Sequence, residues 1–125
     1  MHVERQFESL RSAYPRAALV PNADTSSVII VPELALPPGW NRTNVGVAFI
    51  APAGYPVAAP DCFWTEPGLM LANGGTPQNT GTNQLPGIPA GWLWFSWHPS
   101  RWDANRGDNL MTYLKVIRRR FEEIR

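Results

Sequence analysis

The sequence predicts an α+β fold in which helices pack on a single small antiparallel sheet. Three observations carry this reading. Both ends of the 125-residue chain hold apolar residues at helical spacing. Between them lie short β-branched runs, parted by turn signals at hairpin-like distances. Charge follows the same division: between Arg42 and Arg101 there is no basic residue, and Asp61 and Glu66 are the only acids. The middle therefore reads as sheet, turns and a site.

The first element is a short amphipathic helix over His2 to Tyr14. Val3, Phe7 and Leu10 form its apolar stripe, with Glu4, Arg5, Glu8 and Arg11 around them. Pro15 suits its end. A four-stranded antiparallel meander follows. Ala17 to Pro21 is a short first strand. Ser27 to Leu34 is β-branched and apolar, and Pro32 within it marks an edge or a bulge. Pro37-Pro38-Gly39 turns the chain into a third strand, Asn44 to Ile50. Ala51 to Pro60 is an extended, proline-punctuated connection to a short fourth strand, Asp61 to Thr65.

Glu66 to Gly91 is rich in Gly, Pro, Asn and Thr and nearly free of charge. So long an irregular stretch is usually functional or mobile. Trp92 to Trp97 is an extended aromatic run. The last element is a helix that Asp108 can cap and that runs through Ile124. Leu110, Leu114, Ile117, Phe121 and Ile124 step by +4, +3, +4 and +3 along one face. Lys115 and Arg118 to Arg120 lie elsewhere on it, the arginines as a solvated face whose charge suits the helix dipole.

Composition narrows the function. The length suits one domain over residues 1–125. Net charge is +1, which gives no bulk electrostatic argument for nucleic acid or an anionic membrane. No apolar run approaches a membrane span and no leader opens the chain, so a cytoplasmic protein is expected. One cysteine, Cys62, excludes an internal disulfide and a multi-cysteine zinc site. Two histidines, His2 and His98, argue against a histidine-rich metal site. No metal and no cofactor are expected. Lys115 is the only lysine, which fits either a genome bias or a protein that handles lysine-directed chemistry.

The run with chemical content is Trp92-Leu-Trp-Phe-Ser-Trp-His-Pro-Ser-Arg-Trp102. If it is extended, Trp94, Ser96 and His98 share one face and Leu93, Phe95 and Trp97 the other. A serine hydroxyl and an imidazole two residues apart on one face can hydrogen-bond directly or through one water. That is the geometry of an activated nucleophile. Asp103 and Asp108 are candidates to orient the imidazole. The same pair also fits polar residues where a strand ends, and Ser-x-His is a common pattern.

Cys62 is the rival nucleophile, but it has no histidine near it in sequence, and free cysteine is among the most buried residue types. The tryptophans suit a stacking platform in principle. A nucleic-acid platform also needs a basic groove, which this stretch lacks until Arg101. Most of them read as core.

The order of elements and motifs resembles the ubiquitin-conjugating enzyme fold. An N-terminal helix leads to a meander and then to Ala53-Gly-Tyr-Pro-x-x-x-Pro60, and a long irregular stretch leads to a site, a tryptophan and a helix. Within that superfamily the chain resembles the prokaryotic ubiquitin-conjugating-enzyme-like family E. The matching motifs are Leu36-Pro-Pro-Gly-Trp-Asn41, Gly54-Tyr-Pro56, Pro60-Asp61, Phe95-Ser-Trp-His98, Trp102 and Asp108-Asn-Leu-Met-Thr-Tyr-Leu114. The resemblance implies a bacterial pathway with a ubiquitin-like modifier, a cognate activating enzyme and often a deconjugating protease. The acceptor protein stays unassigned.

By position in that pattern, Ser96 falls where the superfamily has its catalytic cysteine, and Cys62 does not. No His-Pro-Asn precedes the site. Asn73, Asn79 and Asn83 are the candidates to replace the asparagine that steadies the oxyanion. A serine hydroxyl is not ionised near neutral pH, so it needs a base, and His98 is the candidate beside it. The implied intermediate is an oxyester on Ser96. The resemblance also suggests that Val3, Phe7 and Leu10 dock the activating enzyme, although that face can equally be used in the core. A second reading keeps the fold without the chemistry, as an inert module that binds the modifier or its activating enzyme. A serine hydrolase ranks last, for want of a Gly-x-Ser-x-Gly elbow and a clear acid.

Overall fold

The computed structural model describes residues 2–125. Helix α1 spans His2–Ala13 and helix α2 spans Leu110–Glu122. Between them run β1 (Ala18–Pro21), β2 (Ser27–Ala35), β3 (Asn44–Ala51), β4 (Phe63–Thr65), β5 (Thr80–Gly81) and β6 (Leu93–Phe95). They form one antiparallel sheet in the order β1-β2-β3-β4-β6-β5. β1 to β4 follow one another as the meander expected. The sheet has six strands rather than four, because the aromatic run pairs with β4 and a piece of the long stretch pairs with the aromatic run.

Alternation along the strands builds two apolar clusters. Ile29, Val31, Val47, Phe49, Phe63 and Phe95 face the main core, against Leu10 of α1 and Leu114, Ile117 and Phe121 of α2. Val28, Ala48 and Trp64 face the other way. Both faces of the central strands are thus buried, which is why their sequences read as near-continuous apolar runs. Pro32 sits on a central strand, so the bulge is the correct alternative: the β2–β3 register shifts between Val31 and Leu34, and Glu33 takes φ 58°.

The outer cluster is covered by the second half of the long stretch. Trp64 Nε1 donates to the Asn83 carbonyl at 2.8 Å, and Asn22 Nδ2 donates to the Pro86 carbonyl at 3.1 Å. Ile88 is buried in that cluster. Gly87 lies where only glycine fits: its φ is +89°, and a Cβ would stand 2.6 Å from Val28 Cγ2. Gly87→Ala is expected to cost about 1–3 kcal/mol and to lower the Tm by roughly 3 °C or more. An unchanged thermal melt would mean that this strap does not seat on the sheet.

Four other expectations are corrected. Ala51 to Pro60 is a series of turns, with Tyr55 N–H donating to the Pro52 carbonyl at 2.9 Å and Ala58 N–H to Gly54 at 3.0 Å. Helix α2 is capped by Asn109, not Asp108: the Asn109 side chain accepts from the Thr112 amide, and Thr112 Oγ1 accepts from the Asn109 amide. The helix ends at Glu122, short of Ile124, which is 43% exposed. Arg120 is not on a solvated face but fully buried. Among the described residues no helix is long and apolar enough to cross a membrane.

Candidate active site

The candidate site lies where β6 ends. Phe95 is fully buried and stacks on Phe63 with centroids 4.6 Å apart. Ser96, the next residue, is exposed. Alternation holds as expected along this run: Leu93, Phe95 and Trp97 pack on the main core, and Trp94 packs on the outer cluster. Trp97 is held from both directions. Its carbonyl accepts from Tyr113 Oη at 2.8 Å, and the guanidinium groups of Arg120 and Arg125 lie over its ring at 5.3 and 5.8 Å.

β5 continues beyond its pairing with β6 by one bond. Ser96 N–H donates to the Asn79 carbonyl at 2.8 Å. Asn79 is exposed and left-handed, with φ 64°, a conformation asparagine tolerates better than most residues. Of the three asparagines expected at the oxyanion, only Asn79 is joined to Ser96. Asn73 Oδ1 is occupied by the Gly75 amide at 2.8 Å. Asn83 lies toward the other end of β6, its carbonyl taken by Trp64. Neither shares a hydrogen bond with Ser96, and the β5–β6 register, which sequence spacing does not show, sets Asn83 toward the far end of the strand.

Ser96 and His98 share no hydrogen bond. The strand stops at Phe95, and His98 turns toward α2, where it lines a cavity of about 220 Å³ with Trp97, Ser100, Val116, Arg119 and Glu123. The expected shared face thus ends before it reaches the imidazole. Asp103 and Asp108 do not orient it either. Asp103 Oδ1 caps a single 3₁₀ turn through the Asn105 amide at 2.9 Å, and Asp108 Oδ2 accepts from the Asp103 amide at 2.7 Å. Both carboxylates hold the turn ahead of α2 and line an adjoining cavity of about 500 Å³ that also reaches Val116 and Arg119.

The Tyr-Pro segment meets the tryptophan that follows the site. Trp102 Nε1 donates to the Pro56 carbonyl at 2.8 Å, and the Tyr55 and Trp102 rings lie 6.2 Å apart. Tyr55 Oη donates to Gln6 of α1, and burial holds its phenol well above the usual range. The Leu36-to-Asn41 motif closes the other end. Trp40 Nε1 donates to the Phe121 carbonyl at 2.8 Å, and the Asn41 side chain bridges Gly68 and Met70.

Phe7 and Leu10 are buried in the core, so the stripe of α1 is spent on packing and does not offer those two residues to a partner. Val3 is partly buried and borders a cavity of about 180 Å³. Cys62 packs against the outer cluster, half-buried. Burial pushes its thiol up; a contact with Trp94 opposes this and the Asp61 charge adds to it. Less thiolate at a given pH means slower alkylation. Iodoacetamide at pH 8 is expected to modify Cys62 about threefold or more slowly than a free thiol, and a rate equal to glutathione would contradict that. Among the described residues no cluster of histidine, cysteine and carboxylate side chains could hold a metal ion.

Sequence reasoning missed Arg120. Its guanidinium donates to the carbonyls of Gln78 at 2.9 Å, Glu123 at 2.9 Å and Arg125 at 2.8 Å. Burial lowers its pKa, the Arg125 charge adds to this and Glu123 opposes it. The signal was present: Arg120 stands three residues after Ile117 and beside Phe121, on the apolar face itself.

A search of curated proteins and a search of solved structures each return no match. A family model does match, that of prokaryotic E2 family E, over residues 11–124. That span takes in the meander, the Tyr-Pro segment, Ser96 and all of α2. The chain belongs to prokaryotic E2 family E.

Proposed function

We propose that this protein takes a ubiquitin-like modifier from an activating enzyme onto Ser96 as an oxyester and passes it to an acceptor. Residues 1–125 act as one ubiquitin-conjugating-like domain in this reading. Family membership supports a ubiquitin-conjugating-like role in general terms, with a ubiquitin-like modifier and an activating enzyme as partners. The observation that carries the serine is its position: Ser96 is exposed at the end of β6, next to the buried Phe95 and ahead of Trp102 and α2.

The step balances simply. The Ser96 oxygen attacks the modifier's activated C-terminal carbonyl, held as a thioester on the activating enzyme. The C–O bond forms, the C–S bond breaks, and the hydroxyl proton ends on the departing sulfur. His98 relays that proton after a side-chain rotation out of the α2 cavity, since catalytic contacts often tighten only in the complex. Asn79, tied to the Ser96 amide, is the candidate to steady the oxyanion.

A second reading, an inert module that binds the modifier or its activating enzyme, is favoured by the missing Ser96–His98 hydrogen bond. Intact mass separates the two. The protein is incubated with modifier, activating enzyme and ATP as wild type, Ser96→Ala and Cys62→Ala. The expected adduct resists thiol reductant, is cleaved by hydroxylamine and is lost only in Ser96→Ala. An adduct lost only in Cys62→Ala would assign the wrong nucleophile. No adduct from a charged activating enzyme would support the inert module.

A further inference from the structure

Arg120 is an expensive residue for its position. Moving a cation out of water costs several kcal/mol unless partners compensate, and an apolar side chain would continue the face of α2. No Asp or Glu side chain pairs with it: its three bonds go to main-chain oxygens of Gln78, Glu123 and Arg125, and its Nε is a buried side-chain nitrogen with no hydrogen-bond partner.

Two of its hydrogen bonds tie down the residues that follow α2, and its other contacts reach the candidate site. The guanidinium lies over the rings of Phe95 at 5.5 Å and Trp97 at 5.3 Å, the residues on either side of Ser96. One Nη grips the Gln78 carbonyl at 2.9 Å. The next residue, Asn79, holds a left-handed backbone and accepts the Ser96 amide. Strained backbone of this kind persists where its surroundings over-determine it. One side chain from α2 thus holds both the strand end that carries Ser96 and the segment opposite it.

We propose that Arg120 is a positioning residue for the Ser96 site, clamping the Gln78–Asn79 backbone against it. This rests on the reading that Ser96 accepts the modifier. A planar fork over two rings suits the task in a way an ammonium does not. Lysine at 120 keeps the charge and loses the simultaneous grip on several carbonyls.

The test compares wild type, Arg120→Met and Arg120→Lys by amide hydrogen exchange and by modifier loading. In Arg120→Met the Ser96 amide is expected to exchange at least about tenfold faster, while amides of β3 keep their wild-type rates. Loading at saturating charged activating enzyme is expected to fall at least about tenfold with little change in half-saturation, and Arg120→Lys to recover part of it. If Arg120→Met does not fold, Arg120→Lys carries the exchange comparison. A Ser96 amide as protected as in wild type, or one that quickens only in step with β3, would overturn the proposal. So would unchanged loading in a variant of a wild type that loads. Should wild type take no modifier at Ser96, the functional reading falls, and selective exchange at Ser96 alone decides whether Arg120 positions it.

Discussion

Ser96→Cys is expected to load modifier at least about tenfold faster than wild type, as an adduct that thiol reductant removes. The hydroxyl of Ser96 is un-ionised near neutral pH and has no base in contact. A cysteine thiol is a few per cent thiolate at pH 7 and is intrinsically the stronger nucleophile. The position asks nothing else of the side chain: it is exposed, and its backbone bond to Asn79 does not depend on it. The product changes from an oxyester to a thioester, which also transfers to amines more readily. Loading would be followed by gel and intact mass, with and without reductant. A Ser96→Cys protein that takes no modifier from a charged activating enzyme would remove this position from the reaction path and leave the inert module.

Phe121→Ala is expected to cost about 3–5 kcal/mol, a large part of the roughly 5–15 kcal/mol that holds an ordinary domain together. Phe121 is the ring on which three others converge. Trp40 and Phe63 meet it edge-on with centroids at 5.7 Å, and Phe95 does so at 5.9 Å. Its carbonyl also takes the Trp40 indole proton. Removing it opens a cavity between the strand that leads to Ser96 and the motif that anchors the long stretch. Urea unfolding would read the loss as a lower midpoint at similar slope. A loss under about 1 kcal/mol would mean that the aromatic cluster collapses around the gap.

The elements with strong periodicity were legible in the sequence. The α1 stripe, the four strands of the meander and the α2 face all follow from spacing alone, within a few residues. The alternation across Trp94, Phe95 and Trp97 was also legible, because a strand allows only two faces. What spacing could not supply was long-range register. Asn79 reaches Ser96, and Asn83 lies toward the far end of the strand, because β5 pairs with β6 at one register. A face shared by Ser96 and His98 needs a strand that continues to residue 98, and β6 stops at Phe95. The cap that residue type allows at Asp108 is held by Asn109, a shift of one residue. The charge of Arg120 points to a solvated face, although its place on α2 lies between Ile117 and Phe121 of the apolar face. The family motifs were more telling than any of these, since Leu36 to Asn41, Gly54 to Pro56 and Trp102 are the parts that brace the site.

The most direct measurement of the central claim is where the modifier sits. Trypsin leaves residues 43–101 as one peptide, because no lysine or arginine lies between Arg42 and Arg101. That peptide carries both Cys62 and Ser96, so fragmentation of the loaded peptide, quenched in acid to spare the ester, chooses between them in one spectrum. The account predicts the modifier remnant within Phe95–Trp97, assigned to Ser96. A remnant at Cys62, or a peptide with none from a protein mixed with charged activating enzyme, would contradict it.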